Sequence, residues 1–227
     1  MSETAVPPVE EARGGIPPGR RSAASRPAWR EPRSLVVGAD GLARCAWVGD
    51  DELYRRYHDE EWGVPKRDDR VLFEKLCLEG FQAGLSWITI LRRREGFRAA
   101  FAGFDPEALA RWGEAERDRL VADDRIIRNR AKIEATIGNA RALLALQAEH
   151  GPTALTGLIW SFAPAERSGS RPRTFTDLPA ATPESLALST ALKRAGFRFV
   201  GATTVYALMQ SAGLVDDHIE GCHRVAE

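Results

Sequence analysis

Residues 67–95 read RDDRVLFEKLCLEGFQAGLSWITILRRRE, and this stretch decides the class of fold. Asp68 or Asp69 supplies a side-chain cap for the first unpaired amides of a helix. Leu72 and Leu76, with Phe73 and Cys77, recur at the three- and four-residue spacing of one helical face, and Gly80 predicts its stop. A longer apolar helix is expected from Gln82 to Phe104, with Arg92, Arg93 and Arg94 on its exposed flank. At the junction of the two sits Glu79, between Leu78 and Gly80, poorly placed for water. A buried carboxylate needs a partner or a function, unless this one bends out from its helix end to solvent.

Working outward, the helical pattern repeats. Asp105 and Pro106 are the cap and first residue of a short helix. Residues 128–151 are amphipathic, with Ile133, Ile137, Ala140 and Leu144 along one face. Thr182 and Pro183 start another helix that ends near Gly196, and a last apolar helix follows over residues 199–214. No repeat and no β-rich section interrupts this, so the fold class is all-α, with a helical body over residues 42–227. Residues 1–41 are rich in Pro, Gly, Ser, Ala and Arg without periodicity and predict a disordered arm, whose arginines either touch phosphates or are merely solvated.

Composition limits the functions open to the chain. Its 227 residues are 44% hydrophobic, ordinary for a globular protein that buries a core. Thirty-two Lys and Arg balance 32 Asp and Glu, so any nucleic-acid contact has to come from a local patch. Three widely spaced cysteines fit thiols in a reducing cytoplasm better than a disulfide framework. The sequence contains no apolar run long enough for a membrane span, and residues 1–33 lack the apolar stretch of a signal peptide.

Four constellations could carry chemistry. Cys45 and His58 stand near the start of the body, and His218 and Cys222, four apart, near its end; two thiolates and two imidazoles make a tetrahedral zinc set. The same residues also read as small buried thiols and surface histidines, and His223 could replace His218. Full protein ligation would leave no open position, so such a metal is structural and staples the two ends of the domain. Trp47, Tyr54, Tyr57, Trp62 and Trp87 form a second group, either core packing or the wall of a pocket. If Glu79 sits among these rings, flat π faces and one acceptor suit a planar cationic heterocycle. Finally, DDRIIRNRAKIEATIGNAR (residues 123–141) predicts a helix–turn–helix whose second helix starts beside Arg128, Arg130 and Lys132, a place for DNA phosphate, although the usual Gly-x-Gly turn is missing.

RCAWVGDDELYRRYHDEEWGVP (44–65), LCLEGFQAGLSWITILRRRE (76–95), RIIRNRAKIEATIGNAR (125–141), IWSF (159–162) and KRAGFRFVGATTVYALMQSAGLVDDHIEGC (193–222), in this order, resemble the 3-methyladenine DNA glycosylase I family. The resemblance runs from Arg44 to Cys222. It implies a helix-hairpin-helix DNA glycosylase fold whose structural zinc is held by Cys45, His58, His218 and Cys222. It also implies a base pocket in which Glu79 contacts methylated adenine among Trp47, Tyr54, Tyr57, Trp62 and Trp87. The catalytic aspartate of the wider superfamily is not expected. Two positions depart from the family pattern: Ala46 for a usual glycine, and Phe81 for a frequent glutamine, which bears on the pocket lining.

The activity so implied is hydrolysis of the N-glycosidic bond of 3-methyladenine in alkylated duplex DNA by a monomeric enzyme, after base flipping and without a strand-nicking step. Lys75 is the nearest lysine, a turn from Glu79. Leu85 is a candidate wedge for the gap left in the base stack. The competing expectations are a zinc-stabilised protein that binds damaged DNA without cleaving it, and a zinc hydrolase with an open coordination position.

Overall fold

Asp68 accepts from the Val71 amide and opens a helix that runs past Gly80 to Gln82, so Glu79 lies within its last turn and not beyond it. The structure, a computed structural model, describes residues 34–165 and 171–225. Within that range the order is β1 (Leu35–Val37), β2 (Ala43–Cys45), α1 (Glu52–Glu60), α2 (Asp69–Gln82), α3 (Trp87–Arg92), α4 (Arg94–Ala100), α5 (Pro106–Ala110), α6 (Glu114–Ala122), α7 (Arg130–His150), α8 (Ala154–Trp160), α9 (Pro183–Arg194) and α10 (Ala202–Ser211). The caps expected at Asp105 and Thr182 are made, each side chain accepting from amides of the first turn. No helix of the described residues is long and apolar enough to cross a membrane.

Three features differ from the sequence expectation. First, β1 and β2 pair antiparallel, Leu35 opposite Cys45, so the ordered body begins before residue 42. Only residues 1–33 of the arm expected over 1–41 lie outside the described range. A three-residue strand leaves no readable period; its stability comes from pairing and from Leu35 packing on the small cluster of Cys45, Ile219 and Cys222. Second, the long apolar helix from Gln82 is two short ones, because the chain turns at residues 83–86, with Gly84 at φ 83°, and bends again at Arg93. Third, α2 is buried on nearly all sides past its first turn. Leu72, Phe73, Leu76, Leu78 and Phe81 are each at most 2% exposed, as befits a central helix packed by α3, α7, α8 and α10.

Phe81 turns into this core, its ring 4.7 Å from that of Phe97 and 5.8 Å from that of Phe101. The substitution therefore leaves the aromatic wall discussed below untouched, and the neighbouring Gln82 faces that wall instead.

The two ends of the body meet. The His223 amide donates to Ala43 O at 2.8 Å and the Lys66 amide to Ala212 O at 3.0 Å. Gly213 makes the closest approach: at φ 76°, a Cβ there would lie 2.5 Å from Pro65 N and 2.7 Å from Gly63 O. Only glycine fits both the dihedral and the space.

Candidate functional site

A cavity of about 160 Å³ opens between α1, α2, the start of α3 and α10. Its wall includes all five expected rings, Trp47, Tyr54, Tyr57, Trp62 and Trp87, together with Glu79. Tyr54 and Tyr57 share the inward face of α1, and Trp87 is the first residue of α3, placed there by the turn after α2. The rings brace one another: Trp47 lies 4.7 Å from Tyr54 and 5.3 Å from Trp62, and Tyr57 lies 5.5 Å from Trp87, all tilted or edge-on. Gln82, Gln210 and Ser211 add polar atoms that sequence reasoning passed over. Their signal was present, since Gln82 is one turn from Glu79's neighbours and Gln210 and Ser211 end an apolar helix.

Glu79 is 4% exposed and accepts from Ser211 Oγ at 2.9 Å. Burial pushes its carboxyl up to about 7, while Lys75 and the Ser211 hydrogen bond pull the other way. The expectation of a carboxylate among rings holds, and the alternative of a solvent-facing helix end does not. Burial, with the Glu79 charge nearby, also pushes the Tyr54 hydroxyl up to about 12, so it stays a neutral donor. Trp87 Nε1 is buried and has no hydrogen-bond partner among the described residues, leaving an unused donor on a ring of the wall.

Cys45, His58, His218 and Cys222 are all buried, and their ligand atoms lie within 4.8 Å of one another. Cys222 Sγ is 3.4 Å from His58 Nε2 and 3.6 Å from His218 Nδ1, and Cys45 Sγ is 3.8 Å from His218 Nδ1. Metal–sulfur and metal–nitrogen bonds of ordinary length at tetrahedral angles put sulfur and nitrogen about 3.6 Å apart, so the four residues fit a metal ion. The surroundings fit too. Asp59 Oδ1 is 2.7 Å from His58 Nδ1, which fixes the ring with Nε2 toward the sulfurs, and Arg44 holds Asp59 at 2.7 and 2.9 Å. The amides of Ile219 and Arg224 donate to the two sulfurs. Hydrogen bonding to Cys45 and the two imidazoles draws the Cys222 thiol strongly down, and the same bond with burial drives Cys45 up. Two buried thiols side by side share one ionisation until a cation neutralises the second.

His223 does not replace His218. Its Nε2 sits 2.9 Å from Asp59 Oδ1, behind His58. His218 instead has room because Gly63 lacks a Cβ, which would fall 3.1 Å from His218 Nε2. Trp62 stacks edge-on against His218 at 4.6 Å, so the metal-type centre and the aromatic cavity share a wall.

The expected phosphate contacts divide. Arg128 and Arg130 are exposed, and Arg130 pairs with Asp118 at 3.2 Å. Lys132 is a correction: it is buried, and its Nζ donates to Phe81 O at 2.9 Å and Ala83 O at 2.7 Å. It ties off the carbonyl end of α2 and cannot also reach a phosphate. The turn it holds carries Leu85, which is 42% exposed. A second helix–turn–helix is formed by α9 and α10, with its turn at 195–201. Its exposed Lys193, Arg194 and Arg198 flank Gly196 and the uncapped α10 start at Gly201. Asn139 grips Arg198 through both its amide and carbonyl, at 2.7 and 3.1 Å.

The methyladenine glycosylase family matches residues 47–225 of the chain. The chain belongs to that family. Among its relatives, DNA-3-methyladenine glycosylase 1 of Escherichia coli is 50% identical over 181 residues, which is 80% of this chain and 96% of that protein. A crystal structure of 3-methyladenine DNA glycosylase I superposes with TM-score 0.77 at 48% identity, over 81% of this chain and 100% of the other. A variant of 3-methyladenine DNA glycosylase I in complex with 3-methyladenine gives TM-score 0.75 at 33% identity, over 81% and 98%. Membership of this family agrees with the helical body and with the aromatic cavity.

Proposed function

We propose that the chain is a DNA-3-methyladenine glycosylase that hydrolyses the N-glycosidic bond of 3-methyladenine in alkylated duplex DNA and leaves an abasic site. The observation that carries the reading is the buried Glu79 carboxylate on the wall of a cavity otherwise built from aromatic rings. Methylation at N3 gives the nucleobase a positive charge and makes it a good leaving group. The protein therefore has to select, orient and desolvate more than it has to activate. An everted base costs a few kcal/mol of lost stacking, less for a damaged pair. Stacking on Trp47 or Trp87 returns about 1–3 kcal/mol. Glu79 accepts from the exocyclic amine and opposes the charge that grows on the sugar as the bond breaks, an effect strengthened by the exclusion of water. Water is the nucleophile, and among the described residues no lysine lines the cavity, so no strand cleavage accompanies base release.

On this reading Leu85 enters the gap left in the duplex, and the backbone is gripped by Arg128 together with the cations and free amides of the α9–α10 hairpin. Cys45, His58, His218 and Cys222 hold a structural zinc, which supplies cohesion between the chain ends and no open position for a reacting water. That all three cysteines are buried outside disulfides, two of them in the zinc set, supports a reducing cytoplasm as the working compartment.

The test is incubation with methylated duplex DNA and chromatographic identification of any free base. Release of 3-methyladenine supports the reading; tight binding to damaged DNA with no base released establishes the non-catalytic alternative.

A further inference from the structure

Lys75 is 8% exposed, and its ammonium makes no hydrogen bond and no ion pair among the described residues. Burial alone would make that position better suited to a methionine, since an unpartnered ammonium is costly away from water. Something nearby has to offset it. Its Nζ lies 5.6 Å from the centroid of the ring of Tyr57, a residue of the aromatic wall. Lys75 and Glu79 are four apart on α2, successive turns of one face.

The other charges around Lys75 are accounted for. Glu61, at the end of α1, gives both oxygens to Arg94 of α4, at 2.6 and 2.9 Å. Lys66, in the link between α1 and α2, and Arg94 are cations that act against the ammonium. Tyr54 and Tyr57 face the region from α1 as neutral phenols, and Ser211 from α10 contributes only a hydroxyl. Of the acids whose charge reaches Lys75, Glu79 is the one that no arginine neutralises.

Resting on the glycosylase reading above, we propose that Lys75 is a positioning charge of this site. Beside the Tyr57 ring and one turn from Glu79, it is the counter-ion that keeps the Glu79 carboxylate ionised, and so able to receive a cationic base, in a cavity that would otherwise protonate it. The relation acts through space across a turn of helix, without a contact that fixes the carboxylate's direction, which Ser211 does. It accounts for a buried cation beside a pocket for cations: Lys75 serves the acid and not the ligand. Burial pushes the lysine down to about 8 and Glu79 up to about 7, the directions expected of a poorly solvated pair that each partly rescues.

Two readouts test this. One is the pH profile of single-turnover base release from methylated duplex for the wild type, Lys75→Met, Lys75→Gln and Lys75→Arg. The other is the carbon-13 NMR titration of the Glu79 carboxyl in DNA-free protein, assigned with Glu79→Gln. Wild type should show an acid limb and a carboxyl titration near the same pH. Either neutral variant should move both upward by a unit or more, with activity regained at higher pH, while Lys75→Arg keeps them in place. A folded neutral variant whose limb and titration stay where the wild type has them overturns the proposal. If one neutral variant does not fold, the other decides. A wild type that releases no base would defeat the glycosylase reading, and the carboxyl titration would still decide the role of Lys75.

Discussion

Ser211 Oγ donates to Glu79 Oε1 at 2.9 Å, joining the last turn of α10 to the last turn of α2 across the floor of the aromatic cavity. Among the described residues Ser211 is the hydrogen-bond donor to that carboxylate. Hydrogen bonds to charged groups contribute about 1.5–3 kcal/mol, so Ser211→Ala should raise the Glu79 carboxyl further and slow base release roughly tenfold near pH 7. Because the loss acts through ionisation, raising the pH should recover most of it. An equal loss at every pH would mean that Ser211 acts on the substrate instead.

Glu79 also sets a stability signature. Its folded-state carboxyl is pushed from 4.5 up to about 7, so between those values the folded protein binds more protons than the unfolded chain. Stability contributed by the neutral acid is present below about pH 4.5 and is lost as pH rises through about 7. Glu79→Gln cannot titrate. Its stability relative to wild type, measured by urea unfolding, should therefore improve steadily over that window, even as base release collapses.

The helical class was legible because it rests on local signals. Asp68, Asp105 and Thr182 cap helices as read, and apolar spacing located α2, α7, α9 and α10. The break after Gln82 was not, because Gly84 in an apolar run gives no warning that the chain will turn there. Nor could spacing separate His218 from His223: that choice depends on Asp59, which captures His223 from 164 residues away in sequence. The role of Lys132 is hidden from the sequence for the same reason. Its partners, Phe81 O and Ala83 O, are backbone atoms some 50 residues distant, and no local pattern marks a lysine that caps another helix.

That correction separates two kinds of cation in DNA binding. Arg198→Ala should lower the slope of log binding constant against log salt by about one, as removal of one phosphate contact does. Lys132→Met should weaken binding and base release while leaving the slope unchanged, because it loosens the turn that presents Leu85. Fluorescence titrations on duplex DNA at several salt concentrations distinguish them.

If Cys45, His58, His218 and Cys222 hold zinc as proposed, elemental analysis should find one zinc per chain. Cys222→Ser should lose it and lower the melting temperature, with base release falling only as far as folding does. Asp59→Ala removes the carboxylate that orients His58, and should weaken zinc affinity about 10–100-fold in a chelator competition. An exchangeable metal-bound water in the wild type would oppose a purely structural role.

Gly213→Ala puts a methyl group 2.5 Å from Pro65 N at a positive φ. Backbone atoms cannot swing aside as side chains do, so the cost should reach about 2 kcal/mol or more and loosen the junction of the chain ends. Chemical denaturation measures it.

The most direct test is the rate at which free 3-methyladenine appears from methylated duplex DNA under single-turnover conditions, wild type against Glu79→Gln. The wild type should release the base with the strands left intact, and the folded variant should release it at least a hundredfold more slowly, by about 2.7 kcal/mol or more. Release by Glu79→Gln at the wild-type rate would contradict a catalytic role for Glu79.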